Sequence, residues 1–100
     1  MPSTDIWQAL SHPARRRVLT LLRNGVLTAG EIGAVFPFSA ATLSGHLRTL
    51  REANLVSCTP EGTRRLYRLN LSVAEDALTG LLDLLRVGEA DRSITQGDSP

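Results

Sequence analysis

The sequence predicts a mostly α-helical fold with one small β-hairpin, arranged as four helices, the hairpin and a final helix. Three features support this prediction: apolar residues recur at helical spacing, capping boxes mark two helix starts, and one turn separates two β-prone runs. One hundred residues can bury a core of their own, so we expect one domain over residues 1–87. Residues 88–100 show no apolar periodicity and are predicted to form a flexible tail.

Two helices are predicted before residue 25. The first spans residues 4–10 and carries apolar side chains on one side. Ser11 is a candidate N-cap for the second helix, Pro13 fits its first turn, and Gly25 suits the position after its end. Arg15 falls within the apolar arc of this helix, so we expect a partly buried structural arginine, paired with a carboxylate or with carbonyl oxygens.

The next two helices are predicted to be separated by a short break. Residues 28–31 have the sequence TAGE, a capping box that starts a helix reaching about Val35. The proline of the FPF run at 36–38 disfavours the helical conformation before it, so the helix ends there. Ser39 then caps a fourth helix over residues 40–53. The side chains expected to point inward are Ala29, Ile32 and Val35 in the third helix and Leu43, Leu47 and Leu50 in the fourth.

A β-hairpin is predicted after the fourth helix. Two β-prone runs, 55–59 and 64–69, are joined by a PEGT turn whose glycine tolerates a positive φ angle. Residues 72–75, SVAE, form a second capping box that starts a last helix ending near Val87. Helix, break, helix and hairpin in this order predict a winged helix-turn-helix.

The fourth helix and the hairpin have the features of a surface that contacts DNA. The outward face of the helix is small and polar near its start, which lets a helix approach base edges in the major groove. Arginines on the hairpin suit phosphate or the minor groove. The candidate DNA-binding residues are Ser39, Ala40, Ala41, Thr42, Ser44, Gly45, His46, Arg48, Arg64 and Arg65. The alternative is an ordinary solvated surface on a helical core.

Charge is distributed unevenly along the chain, although the net charge is only +1. Between residues 11 and 72 nine arginines stand against three glutamates, whereas residues 73–100 hold two arginines and six acids. All the cations are arginine, which reflects either a lysine-poor genome or a use of bidentate contacts. A basic middle followed by an acidic end is expected where one face meets phosphate.

The last helix carries more apolar surface than one core requires. Its apolar positions cover about half of the circumference, whereas packing against a single core needs an arc of only about 100°. Together with the first helix, this surface predicts a homodimer. The candidate dimerisation residues are Ile6, Trp7, Leu10, Leu78, Leu81, Leu82 and Leu85. A wide contact with the chain's own core is the alternative.

Several protein classes are not expected. No apolar run is long enough to span a membrane, no secretory signal is evident, and the single cysteine, Cys58, fits a reducing compartment, so we expect a cytoplasmic protein. We find no glycine-rich phosphate loop and no nucleophile–base pair, so no enzymatic activity and no cofactor are expected. His12 and His46 lack ligand spacing with each other and with Cys58, and no metal site is predicted.

Four segments resemble the ArsR family of bacterial transcriptional regulators, and together they cover about residues 5–87. Residues 9–19, ALSHPARRRVL, resemble the opening signature of that family, and residues 28–32, TAGEI, with 44–56, SGHLRTLREANLV, resemble its helix-turn-helix. Residues 62–70, GTRRLYRLN, resemble its wing, and the TAGEI start is most similar to the SdpR-like autorepressor branch. The resemblance implies a homodimer, held by its first and last helices, that binds an inverted repeat in double-stranded DNA near a promoter.

The chain also departs from the family's pattern. Many relatives sense metals through cysteines on the helix before the recognition helix, or through histidine and carboxylate pairs on the last helix, and this chain has neither arrangement. A weak metal site formed between the two protomers is the remaining alternative. His46 matches a histidine common in the family's recognition helix, which implies a structural or DNA-flanking role. Ala40 and Gly45 replace larger residues of the family, so phosphate contacts and DNA shape are expected to supply more of the specificity.

Three functions remain open from the sequence. A repressor is the leading prediction, and an activator of the same fold differs from it only in where the operator lies. A winged-helix module that docks on another protein is the third. An unknown effector or protein partner is compatible with all three.

Overall fold

In the computed structural model of this chain, residues 5–98 are described, with side chains described as far as Arg86. This span contains five helices and three strands. In chain order the elements are α1 (Ile6–Leu10), α2 (Pro13–Leu22), β1 (Leu27–Thr28), α3 (Ala29–Val35), α4 (Ala40–Glu52), β2 (Val56–Glu61), β3 (Arg64–Leu69) and α5 (Leu71–Asp98). The predicted order of helices and hairpin is confirmed, and β1 is an addition to it.

The first two helices begin on side-chain caps. The side chain of Asp5 accepts a hydrogen bond from a first-turn backbone N–H at 3.0 Å, which starts α1. At α2 the cap is His12, whose Nδ1 accepts from the backbone N–H of Ala14 at 3.1 Å. The predicted N-cap, Ser11, is therefore wrong: it follows α1, where its hydroxyl donates to the carbonyl of Gln8 at 2.7 Å.

The capping box at the start of α3 is confirmed. The backbone N–H of Thr28 donates to Glu31 Oε1 at 2.8 Å, and the backbone N–H of Glu31 donates to Thr28 Oγ1 at 3.1 Å. Ile32 is fully buried as predicted, but Val35 is 57% exposed, so its predicted inward direction is wrong. The helix ends at Val35 and Phe36 is extended, so this last side chain lies outside the core.

The three strands form an antiparallel sheet in the order β1–β3–β2. β1 has only two residues, and it places Leu27 opposite Tyr67 on β3. β2 reaches Glu61, beyond its predicted end at residue 59, and leaves Gly62 and Thr63 as a two-residue turn. Gly62 has a φ of 63°, and glycine with positive φ at the first turn position is the pattern of a type II′ hairpin.

The core is aliphatic and lies between the sheet and helices α2, α3 and α4. Val18, Ile32 and Leu50 are its largest fully buried side chains, one from each of these helices. Val56 and Tyr67 contribute to the same core from the sheet. Because α3 and α4 both pack against this core, they are fixed relative to each other. One face of α4 remains exposed to solvent.

α4 ends in a Schellman turn that joins it to the hairpin. Asn54 has a left-handed φ of 62°, and its N–H donates to the carbonyl of Arg51 at 2.9 Å. The N–H of Leu55 donates to the carbonyl of Leu50 at 3.0 Å, and both leucines are buried, which completes the motif. Asn70 Nδ2 donates to the carbonyl of Asn54 at 3.0 Å, so the segment before α5 is tied to the same turn.

We expect Asn54→Gly to keep or raise the stability of the chain and Asn54→Ala to lower the free energy of unfolding by about 1 kcal/mol. Glycine adopts the left-handed φ without a steric cost, whereas the Cβ atom of alanine opposes it. Urea unfolding followed by circular dichroism measures both changes. Asn24→Ala is the matched control, since Asn24 is an exposed asparagine outside the left-handed region. Equal stability of the glycine and alanine variants would contradict this account of the turn.

α5 begins earlier and ends later than predicted. It starts at Leu71, with the N–H of Ala74 bonded to the carbonyl of Asn70 at 3.3 Å, so Ser72 lies inside the helix and the predicted capping box is wrong. The helix continues to Asp98, past the predicted end near Val87, because no proline interrupts the chain between them. The flexibility predicted for residues 88–100 stays a prediction. None of the described helices combines the length and apolar character needed to cross a bilayer.

Candidate nucleic-acid interface

α3 and α4 form a helix-turn-helix, and residues 36–39 make the connection between them. Phe36 and Ser39 both have extended backbone angles, which end one helix and start the next. The rings of Phe36 and Phe38 stack with their centroids 5.2 Å apart, and both are half-buried. The connection is therefore packed, and α4 starts at a fixed position beside α3.

The outward face of α4 consists of small and polar residues. Apart from His46, the residues predicted to contact DNA at this helix are all exposed: Ser39, Ala40, Ala41, Thr42, Ser44, Gly45 and Arg48. A Cβ atom at Gly45 would meet no atom within 4 Å, so no intramolecular contact requires glycine there. Glycine inside a helix costs about 0.5–1 kcal/mol relative to alanine. Its use on an open face favours close approach by another molecule.

The start of α4 is a cluster of two hydroxyl groups. Ser39 Oγ accepts from the backbone N–H of Thr42 at 3.1 Å and donates to Thr42 Oγ1 at 3.0 Å. Both hydroxyl groups lie on exposed residues at the start of the helix. The N-cap predicted at Ser39 is confirmed.

Arg48 lies nearly two turns beyond this cluster. Its side chain is 74% exposed, and its Nε lies 3.4 Å from Glu52 Oε2 at the i, i+4 spacing of a helical ion pair. An exposed pair of this kind is worth about 0.3–0.5 kcal/mol. A phosphate can therefore take Arg48 from Glu52 at small energetic cost.

Two arginines predicted to contact DNA lie at the tip of the β2–β3 hairpin, which forms the wing. Arg64 and Arg65 directly follow the Gly62–Thr63 turn and are exposed. Arg64 Nη2 lies 3.1 Å from Glu61 Oε1, in a pair whose side chains are both more than half exposed. The wing thus presents two cations in solvent, one of them held by a weak surface pair.

The wing and α4 are connected through the start of α3. One surface depression is lined by Ala40 and Ser44 of α4 together with Ala29 and Gly30 of α3. A second, of about 430 Å³, is lined by the same Ala29 and Gly30 together with Thr63, Arg64 and Arg65 of the wing. The two depressions thus share Ala29 and Gly30 in their lining. The sequence analysis missed Ala29, Gly30 and Thr63 as members of it, and the small residues of the TAGE segment are the only signal that pointed there.

His46 differs from the other predicted contact residues because its side chain is buried, with only 8% exposed. Its Nδ1 accepts a hydrogen bond from Arg15 Nε at 3.3 Å. Burial, and then the electrostatic effect of the neighbouring His12 and Arg15, lowers the pKa of His46 below its ordinary value of 6.5. We therefore treat His46 as a packing residue and leave it out of the proposed contact surface.

The structural position predicted for Arg15 is confirmed. The side chain is half-buried, and its Nη1 donates to the carbonyl oxygens of Gln8 at 3.2 Å and of Ala9 at 3.4 Å. Carbonyl groups at the end of a short helix lack partners within that helix. Arg15 thus caps the C-terminal end of α1.

A second surface, on α1 and α5, is apolar and exposed. Five of its exposed side chains are Trp7 on α1 and Leu71, Leu78, Leu82 and Leu85 on α5. These leucines follow the spacing i, i+7, i+11 and i+14, which keeps them on one face of a helix. We call these five residues the apolar patch. An open groove of about 320 Å³, lined also by Ile6 and Leu10, adjoins the patch. Leu81 is half-buried and lies at its edge.

Metal-ligating and redox groups are sparse. In the part of the chain that the structure describes, no group of three His, Cys, Asp or Glu side chains is arranged to hold a metal ion. Cys58 is a free, half-buried thiol opposite Tyr67 in the hairpin. Burial, together with the hydrogen bond to Cys58, raises the pKa of Tyr67.

Comparison with known protein families matches residues 10–59 to a helix-turn-helix domain. Among curated proteins, the transcriptional repressor SdpR of Bacillus subtilis (strain 168) is 34% identical over 87 residues, which make up 87% of this chain and 97% of the repressor. The similarity therefore covers the helix-turn-helix and most of the chain outside it.

Two solved structures show the same fold at comparable identity. One is the crystal structure of a possible transcriptional regulator for arsenical resistance, 36% identical with a TM-score of 0.70, covering 89% of this chain and 92% of that one. The other is the solution structure of a homodimeric winged helix-turn-helix DNA-binding domain from Mycobacterium bovis, a possible ArsR-family regulator. It is 30% identical with a TM-score of 0.65 and covers 79% of this chain and 72% of that one.

Proposed function

Since the chain belongs to the ArsR family of winged helix-turn-helix transcriptional regulators, we propose that it is a homodimeric repressor that binds an inverted repeat in double-stranded DNA at a promoter. The observation that carries this proposal is the exposed surface made by the start of α4 and the arginines of the wing. Two curated relatives are named as repressors of arsenical resistance operons, from Staphylococcus aureus and Staphylococcus xylosus, which favours repression over activation.

In this proposal α4 is the recognition helix and lies in the major groove. Thr42 and Ser44 face base edges with hydroxyl groups that donate and accept, and Gly45 lets the helix backbone come close. Arg64 and Arg65 contact phosphate or the minor groove beside it. Few long polar side chains reach the bases, so DNA shape and phosphate contacts supply much of the specificity.

The dimer is formed through the apolar patch. Exposed apolar side chains of this size and number, all on one side of α1 and α5, lose contact with water when a second copy packs there. An isologous interface places two recognition helices about a twofold axis, and such a dimer matches an inverted repeat. The homodimeric relative from Mycobacterium bovis supports this arrangement.

We propose that the protein acts in the cytoplasm, catalyses no reaction and represses by covering the promoter. DNA binding is proposed to need no metal of the standard family sites, because neither the third nor the last helix carries the required ligands. Any effector would act through a site of another kind.

Fluorescence anisotropy with the DNA upstream of its own gene tests the proposal. We expect the full chain to bind this duplex at least about 10³-fold more tightly than a shuffled duplex at the same salt concentration. Equal affinity for both duplexes would overturn sequence-specific binding and would favour the alternative of a winged-helix module that docks on a protein.

Replacing Thr42 or Ser44 with alanine should reduce the preference for operator over shuffled DNA by about 1–3 kcal/mol. The salt dependence of binding should stay nearly unchanged, because neither side chain neutralises phosphate. Salt titrations on both duplexes measure the two quantities. Thr79→Ala, at an exposed threonine of α5, is the matched control. If these variants change the salt dependence and leave the preference intact, the assignment of α4 to the major groove is wrong.

A further inference from the structure

Arg15 connects two parts of the molecule that have different proposed tasks. Its Nη1 binds the carbonyls of Gln8 and Ala9 at the end of α1, which carries Trp7 of the apolar patch. Its Nε binds His46 Nδ1 at 3.3 Å in the middle of α4. One guanidinium therefore joins the helix proposed for dimerisation to the helix proposed for DNA recognition.

His46 is enclosed by parts of the chain that set the position of α4. Its ring lies 4.6 Å from the ring of His12 at the start of α2 and 5.3 Å from the ring of Phe38 in the connection before α4, edge-on in both cases. Among the described residues, the titratable groups that face His46 are His12 and Arg15 of the α2 segment. Phe38 contributes no charge, and α1 contributes backbone carbonyls bound to Arg15.

The direction of the hydrogen bond fixes the protonation state of His46. A guanidinium only donates, so Nδ1 must carry a lone pair and the imidazole must be neutral with its proton on Nε2. Protonation of Nδ1 replaces the acceptor with a donor and places a second positive charge against Arg15. The bond cannot survive that change, so the contact is sensitive to pH through His46.

We propose that Arg15 and His46 are positioning residues that hold α4 in the orientation required for operator recognition, and that protonation of His46 releases this hold. The inference rests on the proposed function and adds a control to it: operator preference falls in mildly acidic conditions. The residues act through the helix that presents Thr42 and Ser44, and not by touching DNA, because His46 is buried.

The stability of the fold should decrease as the pH falls, as operator preference does. Because the folded chain holds the pKa of His46 below its ordinary value of 6.5, the unfolded chain takes up the proton first as the pH falls. Stability is therefore full above the ordinary pKa and is lost as the pH decreases from there toward the lowered pKa of the folded state. This loss of stability is expected of a contact that exists only when His46 is neutral.

The test measures the operator-to-shuffled affinity ratio of the full chain between about pH 7.5 and about pH 5.5, a range that spans histidine titration. For the unmodified protein we expect the ratio to fall, by at most about tenfold at about pH 5.5, because the pKa of His46 lies below 6.5 and only the neutral form holds α4. His46→Asn places an amide oxygen near the position of Nδ1, keeps an acceptor for Arg15 and does not titrate. Its ratio should stay high and flat across the range.

Two further variants separate positioning from general effects. His12→Asn keeps an N-cap at α2 and removes the neighbouring imidazole, and its ratio should still fall as the pH decreases. Arg15→Gln removes the guanidinium, so its operator-to-shuffled ratio should be low and should not change with pH. Its circular dichroism spectrum should still be that of a folded protein. A flat ratio in the unmodified protein, or a His46→Asn ratio that falls like that of the unmodified protein, would overturn the proposal.

A measurement without DNA keeps this inference distinct from the proposed function. In NMR titrations of the free protein, backbone amides of Leu10 and of Leu47 should shift with the same midpoint as the His46 ring, and Arg15→Gln should remove the response at Leu10. Independent midpoints at the two amides would refute the coupling even if operator binding is found. Coupled midpoints without operator preference would refute the proposed function and would limit the Arg15–His46 contact to a structural one.

Discussion

Leu78→Glu and Leu85→Glu are each expected to convert the protein into a folded monomer that no longer binds its operator. Both side chains are largely exposed in the single chain, at 56% and 62%, so a glutamate at either position remains hydrated and the fold is spared. In the proposed dimer the same carboxylate would be buried without a partner, at a cost of several kcal/mol. Because both protomers contribute the same surface to a twofold interface, the penalty applies twice.

Sedimentation velocity and circular dichroism together test this prediction. Val35→Glu is the matched control for association, because Val35 is 57% exposed but lies on α3, away from the apolar patch. We expect the control to remain dimeric. Leu81 is a weaker choice for this test than its predicted place in the interface suggested, because it is half-buried and a charge there also disturbs its own chain. A well-folded dimer for both Leu78→Glu and Leu85→Glu would show that the patch is not the interface.

The double substitution of Arg64 and Arg65 by alanine is expected to lower affinity for operator and shuffled DNA in similar proportion. Each lost phosphate contact should reduce the slope of log affinity against log salt by about one unit, so the pair should reduce it by about two. The preference for operator should change little, since phosphate contacts carry no direct sequence information. Salt titrations on both duplexes give the slopes.

Breaking the ion pair in the wing should have the opposite effect on DNA affinity. Glu61→Gln releases Arg64 from its 3.1 Å contact and removes a negative charge near the DNA, so affinity for both duplexes should rise. Glu75→Gln, which removes the same charge from an exposed position on α5, is the matched control for net charge. An unchanged salt slope in the double arginine variant would place the wing away from phosphate.

Local sequence signals predicted the helix-turn-helix well. The cap at Ser39, the capping box at Thr28 and the proline in the break each act within four residues, and the structure contains all three. The family predicted from the sequence is confirmed by the comparisons. Periodicity also identified the buried leucines of α4, because a helix that packs on one side repeats its pattern several times.

Features that depend on distant partners were not predictable in this way. The bond between Arg15 and His46 joins residues 31 positions apart, and β1 exists only because its two residues pair with β3. The capping box predicted at Ser72 does not form, because the helix already begins at Leu71. Asn70, directly before it, is bonded to the Schellman turn and accepts the first hydrogen bond of the helix. Tertiary contacts override a local signal when they satisfy the same backbone groups.

Selection of duplexes from a random-sequence pool by the full chain tests the central claim most directly, because it requires no knowledge of the operator. A dimer that presents two α4 helices about a twofold axis should enrich an inverted repeat whose half-sites lie about one helical turn, or about 10 base pairs, apart or a multiple of that spacing. Enrichment of a single unsymmetrical site, or no enrichment over the starting pool, would contradict a dimeric, sequence-specific regulator.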